Sequence, residues 1–196
     1  MNTTKYKITL DENHVYAVDG LGHKPSVSQV LALYFPPSKF FTEEGRMKGT
    51  SRHKWFDALA QGLDIANDPD ERIASEVVGF RKFLSEVKPV YFFGEVALYD
   101  DCLEVCGKPD LYCEIQGRPS VVDYKPRNAQ GRWVAQIAAY QCLLIANGFP
   151  VLDRYILRVL PGDYRLDQYK NPADLTCWRA FVQGFKALEA MKCRVK

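Results

Sequence analysis

Hydrophobic positions recur along this chain in two rhythms, and the switches between them predict its elements. Residues 6–10 and 14–18 alternate apolar with polar around Asp11-Glu12-Asn13, which predicts a small hairpin. Asp19-Gly20 begins a second turn. Pro25-Ser26-Val27-Ser28 then opens a short helix over 29–34, with a serine as N-cap and Phe35-Pro36-Pro37 as its stop. Helical spacing predicts two further helices. The first spans 40–62, with Trp55, Phe56, Leu59 and Leu63 on one face. The second spans 69–87, with Ile73, Val77, Phe80 and Leu84 aligned, and 64–70 forms a loop between them.

The rhythm changes to two after Pro89. Residues 90–99 read as a strand carrying one acid, Glu95, in its middle, and 103–106 pair with it across Asp100-Asp101. Two apolar runs, 111–115 and 121–124, flank Gln116-Gly117-Arg118-Pro119 and predict two strands joined by a tight turn. A helix over 128–147 follows, with Val134, Ile137, Ala138, Leu144 and Ile145 apolar and Gly148 at its end. Strands over 154–160 and 164–169 turn at Gly162-Asp163. A closing helix over 172–191 points Trp178, Phe181, Phe185 and Leu188 inward. The fold class is α/β, a mixed central sheet flanked by helices with a small N-terminal β-hairpin. No repeat or linker divides residues 1–196, so one domain is expected: hairpin 1–25, core 90–160 and closing helix 172–191.

Composition narrows the classes. The chain has 196 residues, 47% hydrophobic and 26% charged, as a globular domain does. A net charge of +2 is too small to attract nucleic acid by itself, so any basic surface is local. No apolar run reaches membrane length, and the polar N-terminus has no signal-peptide core, which together point to the cytoplasm and away from a membrane. Six cysteines are too sparse for a disulfide scaffold.

The chemistry concentrates between Gly107 and Tyr140. Antiparallel pairing of 111–115 with 121–124 brings Asp110 and Asp123 together, and Lys125, two residues on, faces the same way. Two adjacent carboxylates repel unless a cation lies between them, and Mg²⁺ or Mn²⁺ prefers such hard oxygen ligands. Lys125 beside that cation could orient an attacking water and offset charge growing on a phosphorane. Gln136 and Tyr140 share one helix face, and Arg132 can join them, a set able to position a phosphate backbone. Arg127, Arg132, Arg46, Lys48 and Arg52 flank this stretch and could neutralise phosphates.

The set Gly107-Lys108-Pro109-Asp110, Asp123-Tyr124-Lys125 and Gln136-x-x-x-Tyr140 resembles the PD-(D/E)XK nuclease superfamily. More narrowly, it is similar to the branch containing the RecB nuclease domain and bacteriophage lambda exonuclease, which the Gln-x-x-x-Tyr element marks. Gly49-Thr50-Ser51-Arg52-His53 looks like that branch's Gly-Thr-x-x-His helix. The opening from His14-x-Tyr16 to Pro25-Ser26-Val27-Ser28 is similar to phage-encoded members. The resemblance covers about residues 14 to 190.

It implies a restriction-endonuclease-like core and a Mg²⁺-dependent deoxyribonuclease, an exonuclease first, with Mn²⁺ as a substitute. A structure-selective endonuclease, or a non-catalytic DNA- or partner-binding module, is the alternative. Asp110 and Asp123 would bind the metal with the Tyr124 carbonyl and His53, Lys125 would be the catalytic lysine, and Glu95 would be a further active-site acid. Gln136, Tyr140, Arg132, Arg127 and Arg52 would hold DNA. The partners implied are linear duplex or single-stranded ends and a single-strand annealing protein, in a phage recombination or repair setting in the host cytoplasm. A homo-oligomer encircling DNA would suit processive digestion. Pro126 departs from the pattern, since relatives carry Thr or Ser there. The cysteine spacing does not match the iron–sulfur set of CRISPR-associated relatives, so no such cluster is expected.

Overall fold

The computed structural model describes residues 5–11, 15–36, 43–63, 71–125 and 131–194. Its centre is a mixed five-stranded sheet, and helices cover both faces. The central strands are β4 (Val90–Phe93), β7 (Leu111–Ile115), β8 (Arg118–Lys125), β9 (Asp153–Leu160) and β10 (Asp163–Gln168), in the order β10-β9-β8-β7-β4. Within this sheet β8 and β9 run parallel and the other neighbours antiparallel; helix α4 (Gly131–Ala146) makes the crossover between β8 and β9. Three-residue strands β1 (Ile8–Leu10), β2 (Tyr16–Val18) and β3 (Gly22–Lys24) form an antiparallel meander, so the expected hairpin gains a third strand. Strands β5 (Leu98–Asp100) and β6 (Val105–Gly107) pair separately.

Alternation along the central strands feeds two cores. Tyr112, Val121 and Ile156 pack against α4, helix α1 (Val27–Tyr34) and the closing helix α5 (Ala173–Arg194). Leu111, Cys113, Val122, Tyr124, Leu157 and Val159 pack against α2 (Glu43–Ala60) and α3 (Ala74–Val87). Aromatic rings fill the second core: Phe56 stacks on Phe80 at 4.2 Å, and both meet Tyr124 edge-on.

Local chemistry explains the boundaries. Ser26 caps α1 through a reciprocal box: its side chain accepts from Gln29 N at 3.0 Å, and Gln29 accepts from Ser26 N at 2.8 Å. The β7–β8 turn is tighter than expected. Gln116 and Gly117 both have positive φ, 52° and 74°, so two residues suffice and Arg118 and Pro119 belong to the strand. Likewise Leu160 pairs with Asp163, so Pro161-Gly162 makes the turn. Gly148, at φ 83°, ends α4.

Three apolar residues assigned to inner faces are exposed: Leu63 (54%), Ile145 (52%) and Leu188 (40%). Leu63 lies beyond the end of α2, while Ile145 and Leu188 sit on the solvent side of helices whose buried stripes run through Leu144 and Val182. Helix α3 starts at Ala74 rather than 69, after a turn at 71–73. The segment expected as one strand over 90–99 breaks after Phe93, which removes Glu95 from the sheet. No helix among the described residues is long and apolar enough to cross a membrane.

Candidate active site

Strand register places the two aspartates. Leu111 pairs with Val122, so positions 110 and 123 stand opposite each other one step further along the β7–β8 ladder. They alternate with residues of the α2–α3 core and therefore face α4. Asp110 is 4% exposed and Asp123 fully buried. The Tyr124 N–H donates to Asp110 Oδ2 at 2.7 Å, and Lys125 Nζ lies 2.7 Å from Asp123 Oδ2. The Tyr124 ring goes to the opposite face, into the aromatic core.

Two further elements reach this point. From α2, His53 Nδ1 sits 3.2 Å from Asp110 Oδ1 and 2.9 Å from Glu95 Oε1. From the β4–β5 connection, Glu95 also meets Lys108 Nζ through Oε2. His53, Glu95 and Asp110 each offer a ligand atom, all within 4.8 Å of one another. On the other side Gln136 Nε2 donates to Tyr140 Oη at 2.8 Å. His53, Glu95, Lys108, Asp110, Lys125, Gln136 and Tyr140 line a cleft of about 660 Å³ between α2, the N-terminal end of α1 and α4, whereas Asp123 is fully buried and lies behind that lining.

The electrostatics of the cleft separate the two acids. Burial pushes the Asp110 carboxyl up, but His53 and Lys125 outweigh it and hold the group well below the usual carboxylate range. Asp123 goes the other way. Its burial is the largest influence; Lys125 offsets part of it, Asp110 adds repulsion, and the carboxyl ends raised. The charge of Asp110 lifts the His53 imidazole to about 10 against the opposing effect of burial, with Glu95 assisting.

A divalent cation fits these residues. Both Asp123 oxygens are buried and accept no aligned hydrogen bond, although Lys125 lies against one of them. Asp110 and Asp123 stand opposite each other across the ladder and the charge of Asp110 acts on Asp123, so one cation can answer both. Two carboxylates and an imidazole, from Glu95, Asp110 and His53, form a donor set suited to Mg²⁺ or Mn²⁺, and Asp123 stands next to Asp110 without belonging to that compact group.

Not every expected residue reaches the cleft. Arg52 Nε is engaged by Glu76 of α3 at 2.5 Å, and Lys48 joins the same carboxylate at 3.0 Å. Arg132 Nη1 reaches the Phe35 carbonyl at 3.5 Å. Neither Arg52 nor Arg132 lines the cleft. Arg127, Pro126 and His14 lie outside the described residues, as does the Arg46 side chain. The cleft also holds Tyr16, Lys54, Asp57 and Lys108, which had no assigned role. Asp57 was within reach of sequence reasoning, since it follows His53 by one helical turn.

No family model matches the sequence, and no curated protein does. Among solved structures, LHK-Exo in complex with dAMP superposes with a TM-score of 0.49 at 15% identity, covering 88% of this chain and 91% of that one. A candidate exonuclease from Eubacterium rectale gives 0.46 at 12% identity, covering 81% and 70%. Likeness at this level speaks to neither substrate nor chemistry.

Proposed function

We propose that this protein is a divalent-metal-dependent deoxyribonuclease that hydrolyses phosphodiester bonds, acting as an exonuclease on linear DNA. The observation that carries the reading is the buried Asp123 carboxylate, without an aligned hydrogen bond, set opposite Asp110 and beside Lys125. Asp110, Asp123, Glu95 and His53 would hold Mg²⁺, with the Tyr124 carbonyl as a further ligand. A cation bound there supplies Lewis-acid polarisation of the scissile phosphate and an acidified water.

The chain's own groups do the rest. The Lys125 ammonium lies where it can hydrogen-bond an oxygen of the reacting phosphate and offset its growing charge. The hydrogen bond to Tyr140 fixes the orientation of Gln136, leaving the amide carbonyl and second N–H for a nucleotide. Lys54 adds a cation at the rim. A single domain, a setting in phage recombination or repair, and a single-strand annealing partner belong to the same proposal.

The test is release of nucleotides from linear duplex DNA with Mg²⁺, comparing wild type with Asp123→Ala and Lys125→Ala. Losing a metal-binding carboxylate should cost several kcal/mol of barrier, about 10²–10⁴-fold in rate. An exonuclease leaves covalently closed circles intact; cutting of circles would make it an endonuclease. Inactivity on every DNA form with both Mg²⁺ and Mn²⁺ refutes the enzyme.

A further inference from the structure

The segment that delivers Glu95 is irregular in a way that the active-site reading leaves unexplained. Strand β4 pairs Val90 with Glu114 and Tyr91 with Cys113, then slips to pair Phe93 with Tyr112, so Phe92 is one residue extra. Such a bulge bends its strand and re-aims the residues after it. The chain leaves the ladder at Gly94, and Glu95 adopts a left-handed φ of 55°. A non-glycine residue is strained there, so its surroundings must impose that conformation.

Hydrogen bonds that replace the lost ladder supply that constraint. The Gly94 N–H donates to Tyr91 Oη at 2.9 Å, and Tyr91 Oη donates to Asp57 Oδ1 at 3.1 Å. The Glu95 N–H donates to the Pro109 carbonyl at 2.9 Å. The second Asp57 oxygen accepts from Gln61 Nε2 at 2.7 Å. Both carboxylate oxygens of Asp57 are therefore engaged, although the residue lies along the cleft wall. Packing enforces the same path, because a Cβ on Gly94 would sit 2.5 Å from Asp57 Oδ1 and 2.6 Å from the Asp110 carbonyl. Burial, with the Asp57 charge, pushes the Tyr91 phenol up to about 12, so it stays protonated and able to donate.

We propose that Asp57 and Tyr91 are positioning residues: the chain from Asp57 through the Tyr91 hydroxyl to the Gly94 amide fixes the Glu95 turn and aims its carboxylate at His53 beside Asp110. This rests on the reading of that cluster as a divalent-metal site. The relay fastens α2, which carries His53, to the connection that carries Glu95. The two ligand-bearing elements are thereby locked in register. Supporting groups of this kind typically change metal affinity by about 10- to 100-fold when removed.

The test compares full-length wild type with Tyr91→Phe, Asp57→Asn and Asp57→Ala by amide hydrogen exchange and by calorimetric titration with Mn²⁺. Tyr91→Phe removes one oxygen and keeps the ring. It should speed exchange of the Gly94 and Glu95 amides about tenfold or more and weaken Mn²⁺ binding about tenfold. Asp57→Asn keeps an acceptor for Tyr91 and should stay within about threefold of wild type, whereas Asp57→Ala should match Tyr91→Phe. Wild-type exchange at Glu95 in Tyr91→Phe overturns the relay, as does unchanged Mn²⁺ affinity. Equal losses in Asp57→Asn and Asp57→Ala also overturn it, because Asp57 would then act by charge. Absence of Mn²⁺ binding to wild type would instead sink the metal reading, while Glu95 exchange would still decide the relay.

Discussion

Asp123 and His53 show how single side chains in this site answer to their neighbours. Asp123 was legible in the sequence because alternation along a strand and a turn of known residues fix its partner across the hairpin. Glu95 was legible by type alone: no periodicity announces that its strand breaks two residues earlier. His53 carries the clearest pH consequence. Its folded value of about 10 exceeds the ordinary value near 6.5, so the proton is bound across neutral pH. The stability this contributes is complete below about pH 6.5 and is lost as pH rises toward 10. A cation ligated by His53 must displace that proton. Mn²⁺ affinity should therefore rise with pH between about 6.5 and 9, by up to tenfold per unit. Titration in buffers of different ionisation enthalpy should show about one proton released from His53 and a further share from the raised Asp123 carboxyl. In His53→Gln the release should fall by about one proton, leaving the Asp123 share; a wild type that releases none would remove His53 from the ligand set.

Among elements, the helices on the α2–α3 face depend on contacts that periodicity does not reveal. Glu76 of α3 binds Arg52 and Lys48 of α2, which turns arginine 52 away from the cleft and makes it a clasp. Burial pushes the Glu76 carboxyl up, but the two cations outweigh it and hold it low. An acid depressed in this way stabilises the fold above its ordinary value near 4.3, and the benefit is lost as pH falls below that. Urea denaturation of Arg52→Ala should show a loss of about 1 kcal/mol at pH 7 that shrinks by pH 3. An equal loss at both pH values would mean packing, not charge, holds the pair.

Gly79 makes the complementary point. Alanine in a helix interior ordinarily gains about 1 kcal/mol over glycine. Here an added Cβ would run into the carbonyls of Leu160 and Asp163, where α3 lies against the β9–β10 turn. Gly79→Ala should destabilise by about 1–3 kcal/mol in thermal unfolding, and a stabilised variant would show that α3 can lift away. Strand and helix order could be read from the two hydrophobic periods. The bulge at Phe92 and the third strand of the N-terminal meander could not, because each depends on which amide loses its partner.

At the scale of the whole molecule, one sheet serves two cores, and the site opens where helices from both faces meet the end of the β7–β8 ladder. With a net charge of only +2, the proposed hold on DNA would fall to the cleft itself. Among the described residues that line it, Lys54 is the exposed cation, while Lys108 and Lys125 are already paired with Glu95 and Asp123. Lys54→Ala should reduce the salt dependence of DNA binding by about one unit of log–log slope without changing stability, measured by anisotropy from about 50 to 300 mM salt. An unchanged slope would place the phosphate track elsewhere.

The proposed function stands or falls with a divalent cation held between Asp110 and Asp123, and diffraction from Mn²⁺-soaked crystals is the decisive experiment. The expected outcome is an anomalous peak about 2.1 Å from carboxylate oxygens of both Asp110 and Asp123, lost in Asp123→Asn. Bound manganese that avoids those two carboxylates, or a cleft that stays empty at saturating Mn²⁺, would contradict it.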